Sequence, residues 1–145
     1  MTIAVWKTEY LTGDLHVDQE HQELFEMVNS LHDAILRAAP YSVVQEIFAD
    51  LASHTVKHFQ TEERLMQVSN YPGCDRHKQS HDGLVSKVKT LSQQLDNQTL
   101  PLSIRLTEFL AEWLAHHIQG EDQNMIRFFR EQTKLYHSAG VRSSL

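Results

Sequence analysis

Apolar residues return every three to four positions in four stretches of the chain, and the breaks between them are short and rich in Pro, Gly, Asn or Ser. The first stretch, from Asp18 to Arg37, carries the stripe His21, Leu24, Val28, Leu31 and Ile35. Asp18 reads as its N-cap and Pro40 as its end, because the residue before a proline avoids the helical region. The second, from Ser42 to Met66, presents Val44, Ile47, Leu51, Thr55, His58, Glu62 and Leu65. After a turn at Asn70-Tyr71-Pro72-Gly73, the third runs from Asp75 to Leu95 with His77, His81, Leu84, Val88, Leu91 and Leu95. Asp96-Asn97-Gln98 leads to the fourth, from Pro101 to Lys134, with Leu106, Leu110, Trp113, His117, Met125 and Phe128 on its stripe and Gly120 as a weak point.

Helices of about 20 to 25 residues are roughly 30 to 37 Å long at 1.5 Å per residue, and connections this short join antiparallel neighbours. The pattern predicts an all-α fold, an antiparallel up-down four-helix bundle over residues 18–134. Residues 1–17 lack the period but contain Trp6, Tyr10 and Leu11, which predicts an ordered N-terminal arm packed over one end of the bundle. Residues 135–145 read as a frayed tail. Together they form a single domain over 1–145, a length too short for a second core.

Composition narrows the function classes. Five Gly and three Pro in 145 residues are too few for a turn-dense all-β or collagen-like chain. Lys and Arg number 13 against 19 Asp and Glu, a formal charge of −6, and no basic run exists, so nucleic acid is not an expected partner. No segment has the pattern of a signal peptide or the roughly 18 apolar residues of a membrane span, and the single cysteine, Cys74, leaves no disulfide framework. A cytoplasmic protein without a membrane partner is expected. Histidine is the outlier, at 10 of 145 residues, and directs attention to metal binding.

Several of these histidines occupy stripe positions where Leu is expected. His58 and Glu62 are i, i+4 on one face, as are His77 and His81; His21 shares a face with Leu24, and His117 follows Trp113 by one turn. In an up-down bundle, the start of helix one, the end of helix two, the start of helix three and the end of helix four lie at the same end. Five imidazoles with Glu62 and Asp122 therefore fall in one layer, where burial without a cation is very unfavourable. Imidazole with carboxylate suits iron or zinc better than calcium or magnesium, and seven donors exceed a single tetrahedral zinc. Two metals fit better. If Glu62 and Asp122 bridge them together with a solvent-derived oxygen, five histidines divide three and two, leaving one metal six-coordinate and the other five-coordinate with an open position.

The chain resembles the hemerythrin family, in its single-domain bacteriohemerythrin form. The resemblance rests on VDQEH from Val17 to His21, HFQTEE from His58 to Glu63, HKQSH from His77 to His81 and WLAHHIQGED from Trp113 to Asp122, with Trp6 and Gly13 upstream. It implies that His77, His81 and His117 hold the six-coordinate iron, His21 and His58 the five-coordinate one, and that Glu62 and Asp122 bridge. It further implies two iron ions with an oxo or hydroxo bridge and reversible dioxygen binding for storage, delivery or sensing, with azide or similar small anions entering the diferric form. The dioxygen is held as hydroperoxide until release reverses the electron transfer. By the same resemblance Leu24, Phe59, Trp113, Leu114 and Ile118 line an apolar pocket that slows autoxidation.

A lone histidine on an apolar stripe is more often a hydrogen-bonded core or boundary residue than a ligand, so the assignment rests on the seven together. His16, His32, His54, His116 and His137 are assigned to surface or boundary positions, and Glu63, about 100° off the stripe, to solvent. Cys74 is read as a loop residue in the turn. Asp122 lies about 140° from His117 on a regular helix, so its place comes from the resemblance; Glu121 at i+4 competes, and a distortion at Gly120 would turn Asp122 inward. Met125 departs from the family, many members of which carry tyrosine there, and makes the surroundings more apolar. The imidazole-rich set favours binding over oxidation and a non-enzyme, since carboxylate-rich sets accompany ferritin-like di-iron proteins. The other readings are a di-iron oxidase or peroxidase, separated by multiple turnovers with a donor, and an iron-handling or signalling module acting in trans.

Overall fold

The computed structural model describes residues 3–132. The frayed tail expected at 135–145, the expected end of the last helix at Lys134, and His137 lie outside the described residues. A 3-10 turn, Thr8–Tyr10, precedes four α-helices: α1 Leu15–Leu36, α2 Tyr41–Val68, α3 Cys74–Asp96 and α4 Ile104–His117. A π-helical segment, Ile118–Asp122, follows α4 directly, and residues 123–132 continue as helix. Helix α1 packs against both α2 and α4, and α2 against α3, which gives the expected antiparallel bundle.

The helix ends show how short connections reverse the chain. In α1, α2 and α3 the residue after the C-cap is left-handed: Ala38 at φ 52°, Asn70 at 54° and Gln98 at 56°. Each has the paired hydrogen bonds of a Schellman turn, as where Ala39 N donates to Ala34 O at 2.9 Å and Ala38 N to Ile35 O at 3.1 Å. Pro40 therefore does not end α1; Ala38 has already turned the chain, and Pro40 stands at the N-cap of α2.

The start of α1 also differs from the reading above. Asp14 is the N-cap, accepting from Val17 N at 3.0 Å, and Asp18 lies buried inside the first turn. From there the Asp18 carboxylate accepts from Thr12 N and Thr12 Oγ1, both at 2.8 Å, and from Gly13 N at 3.2 Å, so it fastens the arm instead of capping the helix. Asn29 fastens the arm higher up, accepting from Ala4 N at 2.8 Å and donating to Ala4 O at 2.9 Å. Trp6 and Tyr10 pack edge-on and tilted against Phe25, as expected of the arm, whereas Leu11 is 47% exposed.

The core has two parts. The larger contains Leu24, Val28, Leu31, Val44, Phe48 and Leu51 with partners from α3 and α4. The smaller groups Val17, Met66, Met125 and Ile126, flanked by Tyr71, Cys74 and Phe129. Leu65 is 40% exposed and Met66 takes its place inside, because Met66, not Leu65, falls four residues after Glu62. Cys74 is the first residue of α3 rather than a loop residue. On α1 His21 falls between Val17 of the smaller part and Leu24 of the larger, and on α2 Glu62 falls between Phe59 of the larger and Met66 of the smaller. Among the described residues no helix is long and apolar enough to cross a membrane.

Candidate metal centre

Each bundle helix brings one or two donors to this layer by its own period. Leu24 follows His21 by three residues, Phe59 adjoins His58, and Leu84 follows His81 by three, so burying the apolar stripe buries the donors with it. His21, His81, Glu62 and Asp122 have no exposed surface, and His58, His77 and His117 are buried.

Asp122 reaches the layer because α4 changes pitch. On a regular helix it would point about 140° away from His117. The wider turn of Ile118–Asp122 brings its Oδ1 to 3.0 Å from both His117 Nε2 and His77 Nε2, and its Oδ2 to 2.9 Å from His21 Nε2. Gly120 lies in this segment, but a Cβ there would meet nothing within 4 Å, so space is not what requires it. Glu121, the competing carboxylate, stays at the edge, its Oε2 3.9 Å from the outer nitrogen of His117.

Donor atoms converge into two overlapping sets, the atoms of each within 4.8 Å of one another: Glu62, His77, His81, His117 and Asp122, and His21, His58, Glu62 and Asp122. Glu62 and Asp122 belong to both. The Nε2 atoms of His77 and His81 lie 3.2 and 3.0 Å from that of His117, and Glu62 Oε1 lies 3.2 Å from His58 Nε2 and from His81 Nε2. Neither oxygen of Glu62 or Asp122, nor His21 Nε2 or His58 Nε2, has a partner in hydrogen-bonding geometry. Lone pairs that face one another at these distances fit shared cations, and nitrogen with carboxylate oxygen fits iron or zinc.

Electrostatics of the metal-free cluster agree. Burial opposes charge on His58, but Glu62, the hydrogen bond to Glu20 and Asp122 push it up to about 10. Burial likewise opposes charge on His117, and Asp122 and Glu62 push it up to about 10. Burial and Asp122 would raise Glu62, yet His58 and His117 bring it down to about 2. Asp122 is held well below the ordinary carboxyl range despite burial, by His117 foremost and by His21 and His77.

Two carboxylates missed in the sequence orient the imidazoles from behind. His58 Nδ1 donates to Glu20 Oε1 and His81 Nδ1 to Glu63 Oε2, each at 3.1 Å. Glu63 is therefore not a solvated charge: it sits between α2 and α3, beside the helix carrying His81. Both acids immediately neighbour donor residues in the motifs, the one signal available in the chain. His32, expected at the surface or boundary, is buried; Thr107 Oγ1 gives its proton to Ile104 O at 3.0 Å and accepts from His32 Nδ1 at 2.8 Å. His16, His54 and His116 are exposed, and His54 Nδ1 donates to Asp50 O of its own helix at 3.0 Å.

An apolar cavity adjoins the centre. Leu24, Phe59, Trp113 and Leu114 line it, with Val28 and Leu110 further along the bundle, while Ile118 is buried in the same core without lining it. About 30 Å³ is open to the centre of a water-sized sphere, more than the ~10–15 Å³ one such molecule needs. Phe59 stacks on His81 with centroids 3.8 Å apart, and Trp113 stacks on His117 at 4.5 Å.

Known proteins are similar to this chain in sequence and fold. Residues 12–129 match the family described as the hemerythrin HHE cation binding domain. A bacteriohemerythrin of Stenotrophomonas maltophilia is 33% identical over 126 residues, covering 85% of this chain and 79% of its own. A myohemerythrin of Riftia pachyptila is 34% identical over 118 residues, covering 81% and 87%. Among solved structures, a wild-type hemerythrin superimposes with a TM-score of 0.78 at 29% identity, covering 82% of this chain and 92% of that one.

Proposed function

The chain belongs to the hemerythrin family and binds dioxygen at a di-iron centre, and from this premise we propose how its side chains divide the work. His77, His81 and His117 hold one iron, His21 and His58 the other, and Glu62 and Asp122 serve both. The observation that carries this reading is the overlap of the two donor sets in those two carboxylates. Bound there, the iron pair supplies two one-electron reductants and a position open to a diatomic ligand.

The residues of the chain do the rest. Glu20 and Glu63 fix the imidazole planes of His58 and His81 by accepting from their Nδ1 protons. Leu24, Phe59, Trp113 and Leu114 offer the incoming gas an apolar space and exclude water and external protons, so that binding is reversed by release of dioxygen. Small anions such as azide reach the same position in the diferric form. Hemerythrins are oxygen-binding proteins and generally not enzymes; for this chain we propose storage, delivery or sensing of dioxygen in the cytoplasm, by one domain of which the arm is a part.

The test is a single cycle. Iron per chain is measured, the protein is reduced anaerobically, air is admitted, and the visible spectrum is followed through oxygenation and removal. About two irons and a charge-transfer band that appears and disappears reversibly are expected. Sustained turnover with an added electron donor would instead make the chain an oxidase or peroxidase.

A further inference from the structure

The carboxylate of Asp122 depends on an energetically poor turn. If Ile118–Asp122 tightened to an α turn, the residues after it would rotate by about 100° relative to the bundle and Asp122 would leave the layer. Something must hold the wider register, and Gly120 has no side chain that could.

The N-terminal arm supplies the hold. Gln123, the residue immediately after Asp122, donates through Nε2 to Leu11 O at 3.1 Å and to Glu9 O at 3.4 Å. The 3-10 turn of the arm packs on the π segment at the same place. The arm is itself fixed to α1, because Asp18 accepts from Thr12 and Gly13, and Tyr10 is buried beside Phe25. Asp18 and His21 lie three residues apart on α1. From them two routes reach the same point of the last helix: His21 meets Asp122 directly, and Asp18 reaches Gln123 through the arm.

We propose that Gln123 is a positioning residue, which pins the π segment to the arm and so keeps Asp122 aimed at both donor sets. The inference rests on the reading of Asp122 as a shared iron donor. It assigns the arm a role in the metal site that Trp6 and Tyr10 packing alone does not give it. A rotation of the last helix would carry the Gln123 amide away from two backbone carbonyls, which ties the register to these hydrogen bonds.

The donor character of the side chain makes the proposal testable. Gln123→Leu removes the donor, Gln123→Glu sets a carboxylate against two carbonyl oxygens, and Gln123→Lys keeps an N–H donor. In the iron-loaded protein, the Leu and Glu variants are expected to lose iron to a chelator about tenfold faster, the size of one or two neutral hydrogen bonds. Their charge-transfer band should weaken, with Lys within about twofold of the parent. In the iron-free protein, amide hydrogens of residues 118–122 should exchange faster in the Leu and Glu variants and not in Lys. Gly13→Val loosens the arm at a second place, since Gly13 has φ 90°, a conformation a β-branched residue adopts only under strain; it should reproduce the effect and add little to Gln123→Leu. Leu and Glu variants that keep iron, band and exchange like the parent overturn the proposal. An Asp122→Ala chain that binds iron with an unchanged spectrum overturns the donor reading beneath it, and the exchange data separate the two failures.

Discussion

Glu20 Oε1 accepts from His58 Nδ1 at 3.1 Å while the opposite nitrogen of the same ring faces Glu62 Oε1 at 3.2 Å. One carboxylate thus fixes the tautomer that presents the other nitrogen to the centre. Glu20→Ala is expected to weaken retention of the iron held by His21 and His58 by about 10–100-fold. Competition with a chelator measures this, and a loss confined to the other iron would contradict the division of donors.

Proton binding gives a second expectation. The metal-free pKa values of His58 and His117 are raised from 6.5 to about 10, so their ion pairing is fully present below 6.5 and is lost as pH rises through about 10. Glu62 is lowered from 4.5 to about 2, so its contribution is present above 4.5 and is lost as pH falls through about 2. The metal-free chain should melt highest between these two unfolded values and progressively lower toward pH 10. Equal melting temperatures at pH 6 and pH 10 after chelation would refute this. Iron uptake near neutral pH must displace both imidazole protons, which a pH-indicator dye will register.

Trp113 lies flat on His117, the planes 16° apart, and forms part of the cavity wall. Trp113→Ala removes that wall and admits water, so irreversible decay of the dioxygen-bound protein to the diferric form should quicken by roughly tenfold. Decay of its visible spectrum in air gives the rate; an unchanged rate would mean that other residues keep the pocket dry.

Far from the centre, the pair His32 and Thr107 offers a control. Thr107→Val leaves the His32 Nδ1 proton without an acceptor in the core and should lower stability by about 1–3 kcal/mol. Denaturant unfolding measures the loss, and iron content should not change.

Six of the seven proposed donors are legible in the chain because periodic helices turn equal spacing into a shared face. Asp122 is not, since its position depends on a change of pitch that no stripe encodes. His32 sits beside a stripe and reads as a boundary residue because its acceptor lies 75 positions away on another helix. Glu63 reads as solvated for a related reason: one helix, taken alone, gives the direction of a side chain but not the helix that will stand in front of it. The exchange of Asp14 for Asp18 as N-cap has a local cause. Both acids precede the same stripe, and only the fold of the arm decides which one is buried.

The π turn makes the last helix one residue longer than its packing alone requires. Deleting Gly120, at which even a Cβ would meet nothing within 4 Å, would let that stretch wind into an ordinary α-helix of greater intrinsic stability. Asp122 would then stand four positions after His117 and keep its heading toward the layer, whereas winding the same stretch tighter with every residue retained would swing it out. The extra residue and the wide turn thus offset one another, and the aim of the carboxylate is a matter of count as much as of pitch.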